Sequence, residues 1–193
     1  PSGSVSVPGP EGEVTIVGAK AAADHKISYV PRERKSEALF APLSVLDNFA
    51  LPTLAKDRQG GLLSNKKTRA RFVTLSNRLG VRYNSPSLPV STLSGGNQQK
   101  VVMARWLATN PSVLLLNDPT RGVDAHTKQD LYALLQELTD AGLGVVMISS
   151  EVDEHLALMD RVLVMRDQEV FRELDREEMS RQSIVAAFFG RTE

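Results

Sequence analysis

The 193 residues contain no cysteine, which removes disulfides and thiolate metal sites from consideration without fixing a compartment. Neither sign of charge is in excess: Lys plus Arg number 23 and Asp plus Glu number 23, a formal net charge of zero. With no basic surplus to attract nucleic acid or an anionic membrane surface, no nucleic-acid partner is expected. No apolar run approaches the ~20 residues that span a bilayer, and no charged-then-apolar leader opens the chain. The expectation is a soluble cytosolic chain that meets a membrane only through a partner. Its length allows one domain with a real core, or a core with a small lobe.

What the chain does have is concentrated in one run, Leu93-Ser94-Gly95-Gly96-Asn97-Gln98-Gln99-Lys100. A hydroxyl and two glycines stand just before a helix, a place suited to holding phosphate. Glycines let the backbone approach an anion, and the first helical turn offers unpaired N–H groups and the positive end of the dipole. A Ser-Gly-Gly turn alone is also an ordinary cap. Its weight comes from the residues on its C-terminal side. An amphipathic helix through Val101, Val102, Ala104, Trp106 and Leu107 leads to the apolar strand Val113-Leu114-Leu115-Leu116. That strand runs into Asn117-Asp118-Pro119-Thr120 and then Arg121-Gly122-Val123-Asp124.

Around this run the pattern alternates. Residues 13–17 and 27–30 read as short strands, the first closing on Gly18 and the second on Pro31. A charged loop comes next, and Ser44 or Asp47 opens a short helix with Val45, Leu46, Phe49 and Leu51 on its apolar side. Gly60 and Gly61 break the chain. Residues 66–79 form a helix that is basic on one side and carries Phe72, Leu75 and Leu79 on the other. Beyond residue 113 come a helix at 126–141, a strand at 145–148, a helix at 151–158 and a strand at 161–165. An edge strand near 169–172 and a closing helix with Ile184, Val185, Phe188 and Phe189 complete the pattern. Apolar strands flanked by amphipathic helices indicate a mostly parallel sheet covered on its faces.

The ordered set from Leu93 to Asp124 resembles the signature motif, Walker B strand and D-loop of an ATP-binding-cassette (ABC) ATPase. The longer form LSGGNQQKVVMARWLA is similar to the ATP-binding subunits of ribose-, galactose- and xylose-type monosaccharide importers, which carry two cassettes in one polypeptide. The resemblance covers residues 11–190. It implies an α/β fold: a partial ABC-ATPase core of the P-loop NTPase kind, with a mostly parallel sheet and an inserted helical lobe. Residues 1–10, rich in Pro, Ser and Gly, read as a flexible leader, and 11–193 as a partial nucleotide-binding domain. The helical lobe is expected at about 39–89 and the signature, Walker B and D-loop in 90–193.

Several expected active-site parts are missing or changed. The phosphate loop G-x-x-x-x-G-K-[ST] does not occur; Gly18-Ala19-Lys20 is the nearest fragment, with Ala21 where a hydroxyl should stand. In the family this loop precedes the stretch resembling 11–16, so truncation or gene decay is the expectation. The family's Asp-Glu pair at Walker B is Asn117-Asp118. Asn117, at the metal position, keeps an acceptor oxygen but loses a charge-assisted contact of about 1.5–3 kcal/mol, which weakens Mg²⁺ binding about tenfold or more. Asp118, at the general-base position, is one methylene short, and a displacement of about 1 Å there costs on the order of a hundredfold in rate. Registering Asp118 as the Mg²⁺ ligand instead conflicts with Pro119-Thr120. Ser150 stands where the switch histidine is expected and cannot act as a cation. His25, His126 and His155 read as exposed helix or loop residues. Arg32 stands at the Q-loop glutamine position. Departures at these last two places resemble a second cassette.

In ABC ATPases each nucleotide lies between one cassette's phosphate loop and its partner's signature turn. The resemblance therefore implies that Ser94, Gly95, Gly96, Asn97 and Gln98 contribute in trans, with Asn97 also helping to cap the helix, and that Arg121, Gly122, Val123 and Asp124 cross the interface. ATP and Mg²⁺ would be held mainly by a partner cassette. The other implied partners are a membrane permease subunit, met through residues 32–54, and indirectly a periplasmic or extracellular sugar-binding protein. Such a chain would sit in the cytoplasm, peripheral on the inner face of the membrane, as part of a carbohydrate importer, and alone would hydrolyse ATP poorly or not at all. A non-catalytic interaction module or relic remains the alternative.

Overall fold

The computed structural model describes residues 4–9, 12–59, 62–63 and 65–191. The chain divides into two compact units, Pro1–Met147 and Ile148–Glu193.

The first unit begins with an antiparallel hairpin of β1 (Ser6–Gly9) and β2 (Gly12–Thr15). Helix α1 (Gly18–Asp24) leads to β3 (Ile27–Val30), and a π-helical turn comes after it at Arg34–Ala38. Next come α2 (Val45–Ala50), a 3₁₀ turn at Leu51–Thr53, and the two-residue strands β4 (Arg58–Gln59) and β5 (Leu62–Leu63). Helix α3 (Asn65–Arg78) and a 3₁₀ turn at Val90–Thr92 precede α4 (Gly95–Leu107). β6 (Val113–Asn117), α5 (Ala125–Asp140) and β7 (Gly144–Ile148), whose last residue is the first of the second unit, complete the order.

Strands β3, β6 and β7 form one sheet with β6 in the centre. β3 runs parallel to β6, with Ile27 opposite Val113 and Tyr29 opposite Leu115. Side chains alternate across a strand, so Ser28, Val30, Leu114 and Leu116 share one face. All four are buried. α4 packs against β3, α2, α3 and the π turn. It is buried nearly all round: Val101, Val102, Met103, Ala104 and Leu107 are buried, and so are the polar Gln98, Gln99, Lys100 and Arg105, as happens when neighbours surround a helix. That packing fixes the helix whose N-terminus is the Ser-Gly-Gly turn.

The helical lobe is centred on Phe72, fully buried, whose ring meets Phe49 edge-on at 5.3 Å and Tyr83 at 5.2 Å between centroids. Beside it Asp57, also buried, accepts from Thr68 Oγ1 at 2.7 Å and from Arg71 Nη1 and Nη2 at 2.9 and 2.6 Å. Arg105 of α4 reaches the same region. Its Nε donates to Asn48 O at 2.6 Å, its Nη2 to Asn48 Oδ1 at 3.0 Å and its Nη1 to Ala38 O. Burial lowers the pKa of this guanidinium to about 10.

The second unit contains α6 (Val152–Leu158), β8 (Arg161–Arg166), β9 (Glu169–Asp175) and α7 (Arg181–Phe188). β8 and β9 form an antiparallel hairpin around a core of Val162, Val164, Leu174, Ile184 and Ala187. Its turn residues, Asp167 and Gln168, both have positive φ (49° and 70°), the twist a two-residue hairpin requires.

The elements that the sequence pattern does not predict are those with no apolar period. α1 is mostly alanine and buries none of its residues, and the π turn carries Arg34, Lys35 and Glu37 and buries only Ala38. β1 lies in the stretch expected to be a flexible leader. Of the two candidate caps for α2, Ser44 holds the position: its Oγ accepts from Asp47 N at 3.0 Å. The expected break at Gly60 and Gly61, and leader residues 1–3 and 10, lie outside the described residues.

Candidate functional site

Ser94 caps α4 from an extended backbone (φ −61°, ψ 158°) and is exposed. Its Oγ accepts from Asn97 N–H at 3.4 Å and from Asn97 Nδ2 at 2.9 Å. A hydroxyl has two acceptor lone pairs and one hydrogen. With both lone pairs engaged, the hydrogen is the part of Ser94 left for an outside acceptor. Asn97 Oδ1 in turn accepts from Arg82 N–H at 2.6 Å, which ties the turn to the loop after α3. The capping oxygen is therefore Ser94's, and Asn97 supports it from the third helical position. A cavity of about 480 Å³ opens beside the turn, lined in part by Ser94, Asn97, Arg82, Asp124 and His126.

The two glycines serve close packing. A Cβ on Gly95 would fall 2.6 Å from Arg34 Nη2, and one on Gly96 2.7 Å from Thr127 Oγ1. Gln98 is turned inward and buried; its Nε2 donates to Leu93 O at 3.1 Å and Val90 O at 3.3 Å. In this arrangement Gln98 braces the turn from within and does not present its side chain beside Ser94.

At the end of β6, Asn117 Nδ2 donates to the Tyr29 hydroxyl at 3.4 Å. Asp118 comes next with φ +43°, in the left-handed region that Asp tolerates better than most residues. It is buried, and its Oδ2 lies 2.9 Å from Arg32 Nε. Two sequence departures, at the Q-loop and general-base positions, are thus one ion pair.

The segment Arg121 to Asp124 is a tight turn, with Gly122 at φ +67°. Arg121 N donates to Asp118 O at 3.1 Å, and Val123 N to Thr120 O at 3.2 Å. Arg121 pairs with Glu33. Asp124 caps α5: Oδ1 accepts from Thr127 N at 2.9 Å and Oδ2 from Thr127 Oγ1 at 2.8 Å. These bonds hold its carboxyl below the ordinary value, the backbone bond contributing most. Ser150 belongs to the second unit, exposed in the bend before α6. His155, the nearest histidine in sequence, has Nε2 3.0 Å from Ser149 O and is part-buried, not exposed as expected.

Sequence reasoning does not find Arg34, Thr127 and Arg82 as supports of the turn. A basic residue in a charged loop carries no periodic signal. Only the two glycines hint that something must come close.

Residues 3–121 match the family model for the ABC transporter. The chain belongs to the ABC transporter family. This ABC chain is 44% identical over 180 residues to the Ribose import ATP-binding protein RbsA 2 of Rubrobacter xylanophilus, covering 93% of this chain and 35% of that protein. It is 40% identical over 164 residues to the Ribose import ATP-binding protein RbsA of Shouchella clausii, covering 85% of this chain and 33% of the relative. The chain thus spans about a third of the length of the curated relatives it matches. Among solved structures it is similar to the ATP-binding cassette MJ0796, a dimer in a post-hydrolysis state bound to ADP and Pi. That likeness has a TM-score of 0.73 and 26% identity, covering 89% of this chain and 73% of that one. An inward-facing metal-chelate type ABC transporter, at 20% identity and TM-score 0.69, covers 86% of this chain and 64% of that one and supports the fold alone.

The family binds ATP, usually with Mg²⁺. The ABC chain's own Walker B end does not fit that cation. Asn117 is uncharged and Asp118 is engaged by a guanidinium.

Proposed function

We propose that this chain is the signature-bearing part of a cassette in a carbohydrate importer, completing an ATP site whose phosphate loop belongs to a partner cassette. The observation that carries this reading is the state of Ser94: exposed, with both lone pairs taken by Asn97 and its hydrogen free. In the assembled site Ser94 donates that hydrogen to a terminal phosphate oxygen. The first-turn N–H groups and the dipole of α4 add a preorganised positive end where charge develops. When bound, ATP supplies the phosphoryl group, and Gly95 and Gly96 keep the turn tight while Arg121 to Asp124 line the same edge. Gln98 supports the turn from inside.

The relatives' names support sugar import, of the ribose type, and the dimeric cassette supports pairing with a second cassette. Residues 32–54 are the proposed permease contact, where Phe40, Leu43 and Leu54 are exposed. Binding there would hold the chain at the inner face of a membrane, with a sugar-binding protein on the far side of the permease. The proposed boundaries within the chain are a helical lobe at about 39–89 and the signature-bearing core at 90–193.

The chain alone is proposed to turn over ATP poorly or not at all. The general-base position Asp118 is tied to Arg32, the metal position is Asn117, and the switch position is Ser150. Phosphate release by the purified chain in ATP and Mg²⁺ is expected at the buffer background; turnover above it overturns this part. In a transporter reconstituted with an intact partner cassette, Ser94→Arg is expected to abolish ATP turnover. Unchanged turnover would mean a non-catalytic interaction module instead.

A further inference from the structure

Three consecutive residues after β3 are attached to the loop that succeeds β6. Arg32 pairs with Asp118, Glu33 with Arg121, and Arg34 donates from Nη1 to Arg121 O at 3.0 Å and from Nη2 to Gly122 O at 3.3 Å. The third contact differs from the others in where the guanidinium lies. A Cβ on Gly95 would stand 2.6 Å from Arg34 Nη2, 3.4 Å from its Cζ and 3.4 Å from Gly122 O. A Cβ on Gly122 would stand 3.8 and 3.9 Å from the two Nη atoms. The planar group is therefore wedged between two glycines, one opening α4 and one in the turn after β6.

We propose that Arg34 is a positioning residue that holds the signature turn and the Arg121–Asp124 turn as one body, so that both move with the segment at residues 31–39. The functional half of this inference rests on the reading that Ser94 serves a partner cassette's nucleotide; the mechanical half does not.

The chemistry requires a guanidinium. Its fork spans two successive carbonyls, where an ammonium offers a compact point charge. Its Nη2 occupies space that a side chain on Gly95 would need, with Gly122 beside it. Arg34 Nε is buried with no partner among the described residues, so the group gives up one donor to hold this place. Burial also lowers its pKa from the ordinary value, with Glu33 opposing. The far end of the segment is fixed as well: Leu39 N closes on Arg34 O at 2.7 Å, and Ala38 O is held by Arg105 of α4. A displacement of the π turn thus reaches the N-terminus of α4 and the turn after β6 through one side chain.

The test uses the whole chain. Amide hydrogen exchange is compared for wild type, Arg34→Ala and Arg34→Lys, with Arg34→Gln as a second variant should alanine fail to fold. Exchange is expected to rise about tenfold at residues 95–98 and 121–123 together in the alanine or glutamine variant, with α3 and β6 unchanged. Lysine restores little of the protection, because one ammonium cannot span both carbonyls. A rise in only one of the two turns, in neither, or uniformly over the chain overturns the proposal, as does full rescue by lysine. In the reconstituted transporter, Arg34→Ala should lower kcat about tenfold with KM for ATP little changed, as expected when placement of the transition-state contacts is lost. Ser94→Arg runs beside it. If Ser94→Arg is silent, the composite-site reading fails while the exchange result still decides the clamp.

Discussion

Arg32 Nε and Asp118 Oδ2 are 2.9 Å apart, which joins the residue after Pro31 to the residue that ends the central strand. Each is a departure from its family's pattern when read alone. Together they are complementary: a carboxylate where a longer one is expected, and a guanidinium where an amide is expected. Asp118 is buried at positive φ, so its carboxylate is aimed by the backbone, while Arg32 remains about half exposed at 48%. The arginine provides a positive charge at the end of the central strand.

Arg32→Gln should therefore destabilise the chain by about 1 kcal/mol, a modest figure because the arginine is half in solvent and its charge is screened. Asp118→Asn in that background should cost less than it does in the wild-type chain, since the two residues share one ion pair. Urea unfolding of the four species gives the coupling directly. Equal and additive losses would mean that the two residues act independently.

Mg²⁺ should leave the isolated chain's melting temperature unchanged. A cation that binds the folded state at about a hundred times its Kd adds ~2.7 kcal/mol, a shift of several degrees that thermal unfolding resolves easily. The measurement compares about 10 mM MgCl₂ with NaCl of matched ionic strength, so that screening is held constant. A saturable rise with Mg²⁺ would show that Asn117 and Asp118 accept a cation despite Arg32.

The strands 27–30 and 113–116 and the helix through Val101 to Leu107 are legible in the sequence because their apolar residues repeat at the period of the element they form. The Ser94 turn is legible as a motif. Its supports are not: Arg34 and Arg82 lie in segments without apolar rhythm, and Thr127, though on the periodic helix α5, carries no apolar signal of its own. The glycines are legible as part of the motif, which suggests room for an anion; that Gly95 and Gly96 also give room to Arg34 and Thr127 is not legible. Chain-distant packing of polar side chains leaves no periodic trace, so the buried Asp57 and Arg105 are also invisible in the sequence.

Gly96→Ala tests that packing by its sign. Glycine to alanine inside a helix normally stabilises by up to about 1 kcal/mol. Here the new Cβ would lie 2.7 Å from Thr127 Oγ1, 3.2 Å from its Cγ2 and 3.3 Å from Asp124 Oδ2. Relief requires breaking the bonds by which Asp124 caps α5. The clash should win, and the net change should be a loss of about 1–3 kcal/mol by urea unfolding. Thr127→Ala in the same chain should recover part of it. A stabilised Gly96→Ala would mean that α5 yields freely and that the signature turn is not braced by it.

Asp57 gives the chain a predictable acid dependence. Its carboxylate is buried, and Arg71 and Thr68 supply donors to both oxygens. The hydrogen bond from Arg71 is the main cause holding its pKa below the ordinary 3.8; burial pulls the other way and loses. Because the folded value lies below the unfolded one, its contribution to stability is complete above the unfolded value. It is lost as pH falls through the folded value. Asp57→Asn should cost about 3 kcal/mol near neutrality, since it leaves the Arg71 cation partly buried without its counter-charge. The difference between wild type and variant should then narrow as pH is lowered from about 5 to about 2, where protonation makes the two side chains alike. Urea midpoints across that range measure it. A difference that stays constant down to the acid limit would mean that shape, and not charge, is what the Arg71 pocket recognises.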